Sequence, residues 1–247
     1  MTGRYKWLDG ARGIALVAMA IYHFTWDLAL FGLIDPATPF ELSWRLFARA
    51  IAGGFLVLVG VGLVIAHGRG IRWRAFGRRL ATILLAAGVI TLGTYVATPD
   101  AFIFFGILHM IAAGSVAALP FLRAPLWVVA AAAIAVAAIG LTFASPAFDT
   151  PWLWWTGLNA TPVRSNDLVP FFPAFAAVLV GVLAARLAGL ERPAGVSAPD
   201  ASNVAFGNHP RWPSLLRFLG RHSLVVYIVH QPILIGALWL ALRLGVV

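Results

Sequence analysis

The stretch from Leu8 to Leu28 reads LDGARGIALVAMAIYHFTWDL, an apolar run long enough to cross a bilayer that nevertheless carries Arg12, His23 and Asp27. Ionisable groups at membrane depth are costly to hold, so each one points to function or to specific pairing. The three residues are separated by 11 and then 4 positions, intervals that return to nearly one azimuth at about 3.6 residues per turn. This pattern predicts one helix carrying one polar stripe. At i, i+4 the Asp27 carboxylate is placed to accept a hydrogen bond from one nitrogen of His23, fixing the tautomer and preparing the other nitrogen as a general base.

The rest of the chain extends the apolar character of this stretch. Of 247 residues, 61% are hydrophobic and 11% charged, with a mean hydropathy of +0.90. A soluble core cannot bury that much apolar surface, so lipid must take the place of solvent. Runs of about 20 apolar residues recur at Arg12 to Leu33, Leu46 to Ala66, Leu80 to Ala97, Phe102 to Leu119, Leu126 to Ala144, Pro170 to Leu187 and His222 to Leu242. The expected fold is an all-α, polytopic transmembrane bundle of about seven spans, forming a single membrane-embedded domain over 1–247. Arg4 and Lys6 precede the first run as they would in a signal peptide. With His23 and Asp27 inside it and no small-residue cleavage site after it, the run is expected to stay as an uncleaved first span.

The basic residues fall between the apolar runs, so the net charge of +9 is explained by orientation and anionic lipid, and nucleic acid is not an expected partner. A cytoplasmic N-terminus places fourteen of the eighteen on the inner side, leaving Arg45, Arg49, Arg164 and Arg243 outside. The C-terminus is then extracytoplasmic. With zero cysteines there is no disulfide, thiolate metal site, c-type haem attachment or cysteine nucleophile. Two connections are long: Ser145 to Val169, whose PWLWW at Pro151 to Trp155 reads as an aromatic belt at the outer surface, and about 191–213, which reads as a mobile cytoplasmic linker. Gly53, Gly54, Gly60 and Gly62 in the second run are expected to permit close helix contact.

Further polar residues sit in other runs. His109 in FFGILHMIAAG and His230 in VVYIVHQPIL come out near the depth of His23, so three histidines on three spans are able to converge. Each can instead be a satisfied interhelical hydrogen bond. Tyr227, three residues before His230, shares its face. Arg45 and Arg49, again at i, i+4, suit either ion pairs with Asp27, Asp35 or Glu41 or an anionic or polar substrate reaching them from outside. Asn166 and Asp167, just before the sixth run, suit either a solvated helix cap or the outer mouth of a site.

These residues carry a resemblance. The opening Leu-Asp-Gly-x-Arg-Gly, whose Arg12 is followed by ten residues and then His23, resembles the first-span signature of integral-membrane acyltransferases of the O-antigen acetylase type. HFTWDL at His23 to Leu28, FGILHMIA at Phe105 to Ala112, NDLVPFFPAF at Asn166 to Phe175 and LGRHSLVVYIVHQP at Leu219 to Pro232 resemble the small bacterial relatives of heparan-alpha-glucosaminide N-acetyltransferase. The resemblance spans nearly the whole chain. It implies transfer of an acetyl group from cytoplasmic acetyl-CoA to an amine or hydroxyl of an extracytoplasmic acceptor, a glycan or other small molecule, in a bacterial inner membrane.

On that reading His23 is the general base or transient acetyl carrier, a role that follows the Arg and His spacing of the acyltransferases, and Asp27 orients it. Arg12, with Arg78, Arg79, Arg217 and Arg221 near the same surface, would hold the CoA phosphates, and about 16 Å of helix between Arg12 and His23 is near the reach of a pantetheine arm. His109, Tyr227, His230, Asn166, Asp167 and Arg45 would shape the acceptor site. No metal is expected, and a homo-oligomer is left open. Two rivals come from other classes: a haem-binding electron-transfer protein using the midplane histidines as axial ligands, and a proton-coupled transporter using His23 and Asp27 as a relay.

Overall fold

The computed structural model describes residues 6–191 and 213–246. The linker expected at about 191–213 lies, apart from its two end residues, outside the described residues. Among the described residues the chain is helical, with no strand beyond an isolated bridge between Ser145 and Asn159. The helices are α1 (Lys6–Leu30), α2 (Leu42–His67), α3 (Trp73–Ala97), α4 (Ile107–Ala117), α5 (Leu126–Thr142), α6 (Phe171–Leu187), α7 (Ser214–Arg221) and α8 (Ser223–Arg243), with single 3-10 turns in several connections.

Every apolar run of the sequence contains a helix, but α1, α2, α3 and α8 alone among the described residues are long and apolar enough to cross a membrane. The helices α4, α5 and α6 are apolar but shorter, at 11, 17 and 17 residues. The largest shortfall from the expected spans is in the fourth run, where Phe102 to Gly106 is not helical. Its cause is local. Gly106 stands in extended geometry as the N-cap of α4, its N–H donates to His109 Nδ1, and the next N–H, of Ile107, donates to Asp167 Oδ2. With those first donors taken by side chains, the helix starts there. The additional helix α7 is only 8 residues long and follows the linker, below the length at which an apolar run stands out in the sequence.

Large apolar side chains point outward, as lipid-facing surfaces require: Leu85 and Val96 on α3 are 72% and 84% exposed. Ile83, Ala86 and Ala87, at i, i+3, i+4, form the buried face of the same helix.

Among the described residues the helices fall into two compact units, one within 6–55 and 213–246 and the other within 56–191, with α2 contributing to both. In the first unit α1 packs against α7 and α8. The approach of α7 is set by two glycines. A Cβ on Gly13 would land on the carbonyl oxygen of Leu216, and one on Gly220 would land on that of Asp9. Only hydrogen at these positions lets the backbones meet. Helix α1 ends where Gly32 takes φ +72° and the Leu33 N–H reaches back to the Leu28 carbonyl at 2.9 Å, a left-handed closure that glycine adopts without strain.

In the second unit α5 packs along α6, and α4 lies against α3 and α6. The C-terminal part of α2 meets α6 through a reciprocal glycine pair: a Cβ on Gly60 would strike the Val178 carbonyl oxygen, and one on Gly181 would strike that of Val57. Gly60 thus has the close-packing role expected of it, whereas Gly53 and Gly54 have nothing within 4 Å of a Cβ. Arg186, at the end of α6, donates through Nη1 to the carbonyls of Phe121 and Ala124 and lies 3.4 Å from Glu191, tying down the α4 to α5 connection.

Candidate functional site

The polar stripe of α1 meets α8. The imidazoles of His23 and His230 stand edge to face, with ring centroids 5.0 Å apart and planes inclined by 62°. One helical turn further along α1, Gln231 Nε2 donates to Asp27 Oδ1 at 2.6 Å. Two rungs therefore join the helices, an imidazole pair and a carboxylate–amide pair. Tyr22 packs edge-on to His23 at 5.7 Å, and Tyr227 lies 5.8 Å from His230. Asp27 is 2% exposed, and its Oδ2, like Gln231 Oε1 and His230 Nε2, is buried without a hydrogen-bond partner among the described residues.

The carboxylate contact differs from expectation. Asp27 takes its hydrogen bond from Gln231 across the helix interface, and no hydrogen bond joins it to His23. The neighbouring helix supplies an amide at bonding distance, while the His23 ring turns toward His230 instead. Helical spacing alone does not single out Gln231, although an amide next to His230 inside an apolar run is itself a signal. Pro232 follows it within α8 and removes the N–H that would otherwise bond the Ile228 carbonyl, loosening the ladder at this turn.

At the other end of α1, Arg12 Nη1 lies 4.0 Å from Asp9 Oδ1, and Asp9 is buried. Because Gly220 approaches the Asp9 backbone, α7 brings Arg217 and Arg221 to this same end of α1. Arg217 Nε is buried without a hydrogen-bond partner among the described residues, and Arg221 is exposed. The unit therefore gathers three of the arginines singled out in the sequence. Arg45, in the first turns of α2, is exposed.

Arg78 and Arg79, early in α3, belong to the second unit, as do His109, Asn166 and Asp167. His109 is a satisfied histidine: Nδ1 accepts from the Gly106 N–H, and Nε2 faces Thr91 Oγ1 at 3.3 Å while that hydroxyl donates to the Ile103 carbonyl. Asp167 Oδ2 accepts from the Ile107 N–H at 3.1 Å. Asn166 donates through Nδ2 to Thr98 Oγ1 at 2.8 Å and through its backbone to the Ala101 carbonyl. Both residues strap their loop to the α3 to α4 connection. Asp149, in the connection between α5 and α6, accepts from the N–H and hydroxyl of Thr161 and from the Ala160 N–H, and these bonds hold its carboxyl below the usual carboxylate range.

A multi-pass helical membrane protein with an imidazole pair between two of its long helices is the class that this fold and site define. Residues 4–232 match the family model described as heparan-alpha-glucosaminide N-acetyltransferase, catalytic. The chain belongs to that family of membrane acetyltransferases. A second similarity is local: 66 residues are 41% identical to part of ATP synthase subunit a from Anaeromyxobacter dehalogenans (strain 2CP-1 / ATCC BAA-258), covering 27% of this chain and 16% of that protein. No solved structure matches the chain.

Proposed function

We propose that the chain moves an acetyl group from cytoplasmic acetyl-CoA to an amine or hydroxyl of an extracytoplasmic acceptor, a sugar or other small molecule, within a bacterial inner membrane. The observation that carries this reading is the His23–His230 pair, two imidazoles brought together from α1 and α8 inside apolar segments. Acyl transfer needs a base for the incoming nucleophile and a proton for the departing thiolate, and an imidazole pair can supply both. His23 lies about 16 Å along α1 from Arg12, a span comparable to an extended pantetheine arm. Arg12, Arg217 and Arg221 hold the CoA phosphates, and Asp27 with Gln231 keeps α1 and α8 in the register that pairs the rings.

In this proposal the N-terminus is cytoplasmic and the C-terminus extracytoplasmic, in keeping with the basic connections. The chain has no cysteine, so single introduced cysteines with membrane-impermeant labels map each connection directly. The function is tested by incubating the purified full chain with labelled acetyl-CoA and envelope extract, then identifying the molecule that carries the label. His23→Ala is expected to abolish labelling while the melting temperature is retained. Full turnover by that variant removes the mechanism.

A further inference from the structure

Two histidines of this chain hold opposite tautomers, as their hydrogen bonds assign them. On His109, Nδ1 accepts from the Gly106 N–H at 3.3 Å, so in the neutral ring the proton sits on Nε2, which faces Thr91 Oγ1. Both nitrogens are occupied, which is the arrangement of a structural histidine. On His230, Nδ1 lies 2.6 Å from the carbonyl oxygen of Tyr227. A carbonyl can only accept, so Nδ1 carries the proton and Nε2 presents its lone pair. That Nε2 is buried and has no hydrogen-bond partner among the described residues, while its ring faces His23 at 5.0 Å. Among the described residues no hydrogen bond pins His23 in this way. A backbone acceptor on one nitrogen fixes the ring and leaves the other as a basic, oriented lone pair.

We infer that His230, through Nε2, is the proton acceptor of the reaction, a catalytic residue rather than part of the wall of the acceptor site. The inference rests on the acetyl-transfer reading above. As the amine or hydroxyl of the acceptor attacks the thioester carbonyl, a nitrogen–carbon or oxygen–carbon bond forms and the carbon–sulfur bond breaks, its electron pair leaving on sulfur. The proton of the nucleophile passes to His230 Nε2 and from there to the thiolate, which leaves as CoA thiol, and the imidazole returns to its neutral form. His23, beside it, holds the ring face and lies along the path to the sulfur.

The test uses the full chain in lipid nanodiscs with 15N-labelled histidine. The His230 resonances, assigned by their loss in the variants, should show a pyridine-like Nε2 and a pyrrole-like Nδ1; a protonated Nε2 overturns the inference. In acetyl-transfer assays, His230→Asn keeps an amide donor where Nδ1 lies but has no group at the position of Nε2. It should lower kcat by about 100-fold or more while KM for acetyl-CoA stays within about twofold. His230→Gln, which puts an amide near the Nε2 position, should be equally slow. Turnover near that of the wild type in either folded variant sinks the assignment of His230 alone. A wild type that transfers no acetyl group, yet shows the expected tautomer, sinks the acetyl-transfer reading and the base role with it.

Discussion

Gln231 donates to Asp27 at 2.6 Å, so a carboxylate buried in the apolar length of α1 takes its partner from α8. Removing one member strands the other. Gln231→Leu leaves a buried acceptor without its donor, and the expected loss is about 1–3 kcal/mol of stability. Asp27→Leu strands the amide and should cost less, because the charge goes with it. Replacing both with apolar groups removes the stranded group, so the double variant should recover most of the loss. Thermal unfolding of the three variants in one detergent gives the coupling energy, and simple additivity of the two single losses would contradict the pairing.

How far the sequence reveals this arrangement depends on which force decides each feature. The spacing of Arg12, His23 and Asp27 is helix geometry, so their common stripe is legible in the residue intervals themselves. The meeting of His23 with His230 is readable only as a shared depth, because the choice of neighbouring helix is made by packing. Gln231 carries no charge to flag it, yet it wins the contact with Asp27 that spacing alone gives to His23. Similar reasoning covers Asp167, whose cap on α4 joins residues 60 positions apart. Local pattern cannot reveal such a long-range bond, and it is the bond that shortens the expected fourth span.

The two glycines at the crossing of α1 and α7 make a separate prediction. A methyl group at Gly13 or Gly220 would fall on a backbone carbonyl, which cannot move aside as a flexible side chain can. Gly13→Ala and Gly220→Ala should each lose about 1–3 kcal/mol through forced separation of the helices. Gly53→Ala, where nothing lies within 4 Å, should be neutral or stabilising by about 0.5–1 kcal/mol through helix propensity. Melting temperatures of the three variants check the contrast, and a uniform response would show that α7 does not seat as described.

Arg221 is exposed at the end of α7 that faces the start of α1, and no hydrogen bond or ion pair ties it among the described residues. If it holds a CoA phosphate, Arg221→Gln should raise KM for acetyl-CoA by roughly tenfold, the size of one charge-assisted hydrogen bond. Melting temperature and kcat should stay near their original values. Arg12→Gln differs in kind, since it also removes a guanidinium 4.0 Å from the buried Asp9 carboxylate, so it should lower stability as well as donor affinity. Steady-state kinetics with thermal unfolding on the same preparations separates the two effects. An unchanged KM in both variants would remove these arginines from the donor site.

Asp149 lies outside the helices and clamps its loop by accepting three hydrogen bonds from Ala160 and Thr161. The Thr161 N–H contributes most to keeping the carboxyl ionised, so its titration in the folded chain lies below the ordinary value of 3.8. A group depressed in this way adds stability that is complete above its unfolded value and disappears as the pH falls through its folded one. The clamp should therefore hold at neutral pH and open only once the pH drops below 3.8. Trp152, Trp154 and Trp155 sit within this loop, so their fluorescence reports the opening. Asp149→Asn keeps the size of the side chain but cannot ionise, and it should abolish this acid transition while leaving acetyl transfer at neutral pH unchanged. An acid transition of the same midpoint in the variant would show that another group controls the loop.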